Sequence, residues 1–284
     1  MSVNITVFGG ANMDILGMPQ DRLLMRDSNI GRVVLRPGGV GRNIAQQIAQ
    51  LGCGCTLLTV FGNDVLADAL CASCARLGID ITHAMMAEGN TCVYLCLHEE
   101  AGDMLAAIND MRLTEKLTVS YASKHMEQIN ASDLCVLDAN PPVDTVRYIA
   151  GHAAVPVLMD TVSCAKLDRV RAALPYLTAI KPNLMEARAL TGESDPAACA
   201  RSLIRSGVKR AFISLGADGL LCADAQISLC LPVERLSAAA KTGVGDALCA
   251  GLAVALAEGE NTLECAKYGM RCAADFLEKE EEEQ

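Results

Sequence analysis

The stretch Lys241–Leu252, KTGVGDALCAGL, sets two glycines and an aspartate at the start of an apolar helical run. A helix start needs one polar cap, so the rest of the arrangement asks for another explanation. The N–H groups of Gly243, Val244 and Gly245, gathered at a helix N-terminus, would make an anion hole aided by the helix dipole. Asp246 then enters the first turn. As structure, an acid there complements the dipole. As chemistry, a carboxylate beside an anion hole is suited to take the proton of a hydroxyl attacking phosphorus, while the N–H groups stabilise the transferring phosphoryl charge. Spacing alone leaves both open.

Outward from this stretch the chain alternates strands and helices. NITVFGG, CTLLTVFG, DLCVLDAN, VPVLMD, LTAIKPN and KRAFISLG read as buried strands; GRNIAQQIAQLG, DVLADALCASCARLG, DTVRYIAGHA and PAACARSLIRSG read as helices. Continuous apolar strands between amphipathic helices argue a mostly parallel sheet covered on both faces. Two stretches break the rhythm. Residues 15–37 are irregular around a short strand-like GRVVLR, and residues 89–113 read as a hairpin turning at EEAGD. The expected organisation is a main unit of residues 1–14, 38–88 and 114–284, with 15–37 and 89–113 meeting as a small β lid.

Bulk properties narrow the classes. The net charge is −10, of which the final seven residues, EKEEEEQ, carry −4, so a basic nucleic-acid-binding face is not expected. Apolar runs are broken well before the ~20 residues of a membrane span, and the N-terminus has no basic region or cleavage site. The reading is a soluble, cytoplasmic protein without membrane contact. The fourteen cysteines sit in apolar strand and helix contexts and read as small packed hydrophobes. Cys53, Cys55, Cys71 and Cys74 would have to converge to hold zinc, and Cys71 lies inside a helix pattern, which favours packing.

In open α/β sheets ligands bind at the carboxyl ends of strands. Here those ends carry Asn12 and Asp14, Asp138 and Asn140, Asp160, Asn183 and Glu186, and Gly216 and Gly219. Any one of these could be a cap or turn; five such ends together point to a site. The glycines of PGGVGRN (Pro37–Asn43) allow close backbone approach to a ligand or simply a tight loop.

Taken in order, GGANMD, GGVGRNIA, KPNLMEA, SLGADG and TGVGDALCAGL resemble the motifs of the ribokinase-like (PfkB) family of carbohydrate and nucleoside kinases over nearly the whole chain. The resemblance implies a three-layer α/β/α sandwich with a mostly parallel central sheet and a small β-sheet lid. It implies a kinase using ATP and Mg2+. Asp246 would be the base, and Gly243, Val244 and Gly245 the anion hole. Asn183 and Glu186 would organise magnesium and the triphosphate, largely through water. Asn12, Asp14, Gly39 and Asn43 would hold sugar hydroxyls, and Ser214, Gly216, Gly219 and Thr242 would line the nucleotide side. Within the family, RPGGVGRNIA, the lid TCVYLCLHEEAGDMLAAINDM and MDTVSCAKL are similar to pseudouridine kinases, which implies phosphorylation of pseudouridine to its 5′-phosphate. Thr91, Asn109 and Asp110 are then base-side candidates of the lid, with hairpin shaping as the alternative. Lys166 would either reach an anion or cap local structure.

The chain departs from the family pattern at Val244, where alanine is usual, and at Ala240-Lys241, where an aspartate helps form a monovalent-cation site in some members. Ala240 brings no oxygen to such a site, and Lys241 is either a nearby positive charge or solvated. A kinase for ribose or another nucleoside is the alternative substrate reading. A nucleotide or sugar sensor on the same scaffold is the non-enzyme one, although a sensor need not keep a base. A homodimer through the lid is compatible with catalysis.

Overall fold

The computed structural model describes residues 3–99, 104–233 and 243–282. The chain begins with β1 (Asn4–Phe8), β2 (Asn12–Pro19) and β3 (Gly31–Gly38), then α1 (Val40–Gln50), β4 (Gly54–Leu58), β5 (Val60–Phe61), α2 (Val65–Arg76) and β6 (Met85–Met86). Next come β7 (Val93–His98), β8 (Met104–Asp110), α3 (Val119–Lys124), α4 (Met126–Asn130), β9 (Leu134–Asp138), α5 (Val143–His152), β10 (Val157–Asp160) and α6 (Leu167–Arg171). The chain closes with β11 (Ala179–Lys181), α7 (Leu184–Thr191), α8 (Pro196–Arg205), β12 (Arg210–Ser214), β13 (Leu220–Ala223), β14 (Ser228–Leu231), α9 (Val244–Ala257) and α10 (Thr262–Glu282).

The main sheet runs in the order β14-β13-β12-β11-β10-β9-β1-β4. Its strands are parallel from β4 to β12, and β13 and β14 add an antiparallel edge. The two faces follow from the period of two along each strand. Phe8, Cys135, Leu137, Val157 and Met159 point into a core shared with α3 and α5–α8. Ile5, Val7, Leu134, Val136 and Leu158 point into a second core with α1, α2, α9 and α10. This is the three-layer α/β/α sandwich. Because the sheet is buried on both faces, its strands are apolar almost without interruption. The helix α9 is apolar all round for the same reason: it lies between α1 and α10, and Ala247–Leu256 are buried throughout.

A separate four-stranded sheet has the order β3-β2-β7-β8. The pairs β2/β3 and β7/β8 are antiparallel and β2/β7 is parallel. Residues 100–103, in the turn expected at EEAGD, lie outside the described residues. The expected irregularity of residues 15–37 is corrected: β2 is eight residues long, its Gly17 and Pro19 having obscured the strand pattern. It also begins at Asn12, so Asn12–Asp14 belong to this second sheet. Among the described residues no helix is long and apolar enough to cross a membrane. All fourteen cysteines are free thiols, most of them buried.

Candidate active site

Asp246 sits in the first turn of α9, where its N–H donates to the Gly243 carbonyl at 3.0 Å. Gly243 is the N-cap in left-handed conformation, φ 101°, and a Cβ there would lie 2.8 Å from Phe276 Cζ of α10. Among the described residues the N–H groups of Val244 and Gly245 have no partner, as expected for the first positions of a helix. Val244 is half-buried at the first helical position, and Gly245 beside it is exposed. Thr242, Lys241 and Ala240 lie outside the described residues.

The Asp246 carboxylate is held by α1: Asn43 Nδ2 donates to its Oδ2 at 3.0 Å. Burial pushes the Asp246 carboxyl up to about 7; neighbouring Asp160 and Asp138 add to the rise, and Asn43 and Lys181 oppose it. A base with a pKa near neutrality is matched to proton abstraction at neutral pH.

The turn after β1 and the start of α1 press together, which explains the glycines of both. A Cβ on Gly39, φ 98°, would sit 2.7 Å from Ala11 Cα, and one on Gly38 would sit 2.4 Å from Asp14 Oδ2. Asn12 Nδ2 donates to Asp14 Oδ1 at 2.6 Å. Burial raises the Asp14 carboxyl, against the pull of Asn12, Arg42 and Arg36. Arg42 is buried and reaches Pro37 O at 3.2 Å, Asn43 Oδ1 at 3.3 Å and Ser73 Oγ at 2.8 Å. As a donor only, it fixes the Asn43 amide with its nitrogen toward Asp246. Beneath them Asp138, fully buried, accepts from Gly10 N, Gly41 N, Asn140 N and Asn140 Nδ2 at 2.7–2.9 Å. It acts as a strut joining β9, the β1–β2 turn and α1.

Asn183 and Glu186 form a capping box on α7: Asn183 Oδ1 accepts from Glu186 N, and Glu186 Oε2 accepts from Asn183 N, both at 2.9 Å. Thr161 Oγ1 donates to the same Oε2 at 2.6 Å. Among the described residues Glu186 Oε1 has no protein partner, which leaves it for a water of a hydrated cation. No group of three or more His, Cys, Asp or Glu able to hold a metal is found among the described residues. This donor set fits magnesium carried by phosphate and water rather than by a protein cage. Asn183, Ser214 and Gly216 line a cleft of about 420 Å³ with Leu184, Met185 and Arg188. Gly219, φ 100°, sits in the β12–β13 turn, where an added Cβ would fall on the Leu231 carbonyl oxygen.

The lid candidates separate. Thr91 is buried, its hydroxyl donating to Asp64 Oδ1 at 2.6 Å and its N–H to Asp64 Oδ2 at 2.8 Å, so it locks the lid to the cap of α2. Asp110 is closed onto Arg112, at 2.6 and 2.9 Å, which pulls it down to about 2. Register sets Arg36, Asp14, Tyr94 and Asn109 in one row across the sheet, whereas Asp110 falls in the next row with Val93 and Met13. Asn109 and Tyr94, rather than Asp110, therefore share the face of Asp14. Lys166 Nζ donates to Asn140 Oδ1, on the loop after β9.

Sequence reasoning missed four groups: Tyr94, Arg42, Thr161 and Lys181. The last is buried at the end of β11, with Nζ 3.1 Å from Asp160 Oδ2. Its signal was present, a lysine closing an otherwise apolar strand.

The pfkB family carbohydrate kinase pattern matches residues 3–281. The pseudouridine kinase of Escherichia coli K12 is 34% identical over 282 residues, covering 96% of this chain and 90% of that protein. The ribokinase of Bacillus subtilis is 24% identical, with 95% and 92% covered. Among solved structures, the ribokinase of Thermotoga maritima superposes with a TM-score of 0.87 at 25% identity, covering 96% of this chain and 92% of that one.

Proposed function

This chain belongs to the pfkB family of carbohydrate kinases, and from that premise we propose that it transfers the terminal phosphoryl group of ATP to the 5′-hydroxyl of a ribose-containing nucleoside, pseudouridine first among them. The observation that carries the reading is the pairing of a half-buried carboxylate, Asp246, with the open N–H groups of Val244 and Gly245 on the same helix turn. The substrate hydroxyl attacks the γ-phosphorus; its proton passes to Asp246, the new O–P bond forms as the bond to ADP breaks, and the turn donors stabilise the phosphoryl oxygens. Asn12, Asp14, Gly39 and Asn43 hold the ribose. The cleft at Asn183, Ser214 and Gly216 takes the nucleotide. Magnesium, held through water by Glu186 and Asn183, would neutralise phosphate charge.

The choice of pseudouridine rests on the Escherichia coli relative and on the row Asp14, Tyr94 and Asn109, which offers polar groups above a base. ADP release from a panel of pseudouridine, uridine, other nucleosides and ribose tests it. Selective turnover of pseudouridine is expected; preference for ribose would remove the nucleoside and leave the family.

A further inference from the structure

Lys181 sits where elementary electrostatics disfavours it. It is 6% exposed, and a Cβ built on Gly245 would lie 3.4 Å from its Nζ. The ammonium therefore lies directly under the first turn of α9, at the end of a helix whose dipole repels cations. Its ion pair with Asp160, at 3.1 Å, does not explain the placement on stability grounds. A buried ion pair is commonly no better than an apolar pair of the same volume.

We propose that Lys181 is a positioning residue, an internal counter-ion paired with Asp160, that acts through Asp246 and the α9 turn to favour negative charge there. This rests on the reading of Asp246 as the base. The groups facing Asp246 are Asp160 from β10, Lys181 from β11, Asp138 from β9, the Asn43 amide from α1 and the Cys249 thiol of its own helix. Lys181 is the cation among them. Before reaction it offsets the repulsion that three clustered carboxylates would otherwise exert on one another. When phosphoryl oxygens meet the turn, it adds a positive charge behind the backbone donors, fixed in place with no reorganisation required.

Opposite substitutions test this. Lys181→Met removes the cation; Asp160→Asn removes the anion; the double variant removes both and leaves no unpaired buried charge, so it guards against simple misfolding. The readouts are the 13C titration of the Asp246 carboxyl in ligand-free protein, assigned with Asp246→Asn, and the acid limb of the kcat profile. Lys181→Met is expected to move the midpoint up by about one pH unit and Asp160→Asn down by about one, with the double variant returning toward wild type. In Lys181→Met, kcat should fall about tenfold or more while KM for ATP changes less. Midpoints that stay put, or move in the same direction in both single variants, would overturn the proposal. The titration needs no turnover: a chain that phosphorylates nothing in the substrate panel would lose the kinase reading, and the titration would still decide on Lys181.

Discussion

At the scale of single residues, Asp246 carries two separable consequences. Asp246→Asn keeps the shape of the turn and the contact with Asn43 but removes the proposed base. Its kcat is expected to drop by about 10²–10⁴-fold, with ATP binding by calorimetry nearly unchanged; near wild-type turnover would reassign the base. The second consequence concerns stability. The folded carboxyl is raised to about 7 from 3.8, so the unfolded chain releases this proton at lower pH than the folded one. The contribution is present in full below about pH 4 and is lost as pH rises through 7. Thermal melts of wild type and Asp246→Asn should therefore diverge from pH 5 to 8, with the variant becoming the more stable of the two. The same melts at pH 4 should differ least.

At the scale of elements, the glycines mark where one backbone must lie against another. Gly243 is the sharpest case, combining φ 101° with the nearby Phe276 ring. Gly243→Ala is expected to cost about 1–3 kcal/mol of stability, read by denaturant unfolding, and to lower kcat by tilting the donors of Val244 and Gly245. The helices and the apolar strands were legible in the sequence because burial on both sheet faces writes itself as apolar runs. The strand β2 was not, because Gly17 and Pro19 interrupt a pattern that pairing with two neighbours sustains. The site was legible where a residue type is rare in its setting, as with Asp246 in an apolar helix. It was not legible where the decisive fact is a partner distant in the chain: Thr91 with Asp64, Asp110 against its row, Tyr94 beside Asp14, and Lys181 beneath Gly245. Asn183 and Glu186 are both a capping box and metal candidates, and three-residue spacing cannot separate the two.

At the scale of the whole molecule, the second sheet has two unlike faces. The row through Asp14, Tyr94 and Asn109 is polar, while Leu35, Ile15, Leu95 and Ile108 form the neighbouring row on the opposite face. Leu35 and Ile108 are 53% and 67% exposed. An apolar sheet face of this kind asks for cover, and we propose that a second copy of the chain supplies it. Sedimentation velocity is expected to show a dimer that Ile108→Glu converts to monomer; an unaltered sedimentation coefficient in the variant would argue for another interface or none.

The hydrogen bond between Asn43 and Asp246 joins residues 203 positions apart. During synthesis, α1 and the parallel strands from β1 to β12 can be made and begin to assemble long before α9 leaves the ribosome. Central pairings such as β1 with β9 already demand distant contacts, which slow folding, and the contact between Asn43 and Asp246 closes later still. A nascent chain stopped before Gly243 would hold most of its sheet yet lack Asp246, the proposed base. On the proposed reading, competence to react would thus arrive only after the scaffold is in place.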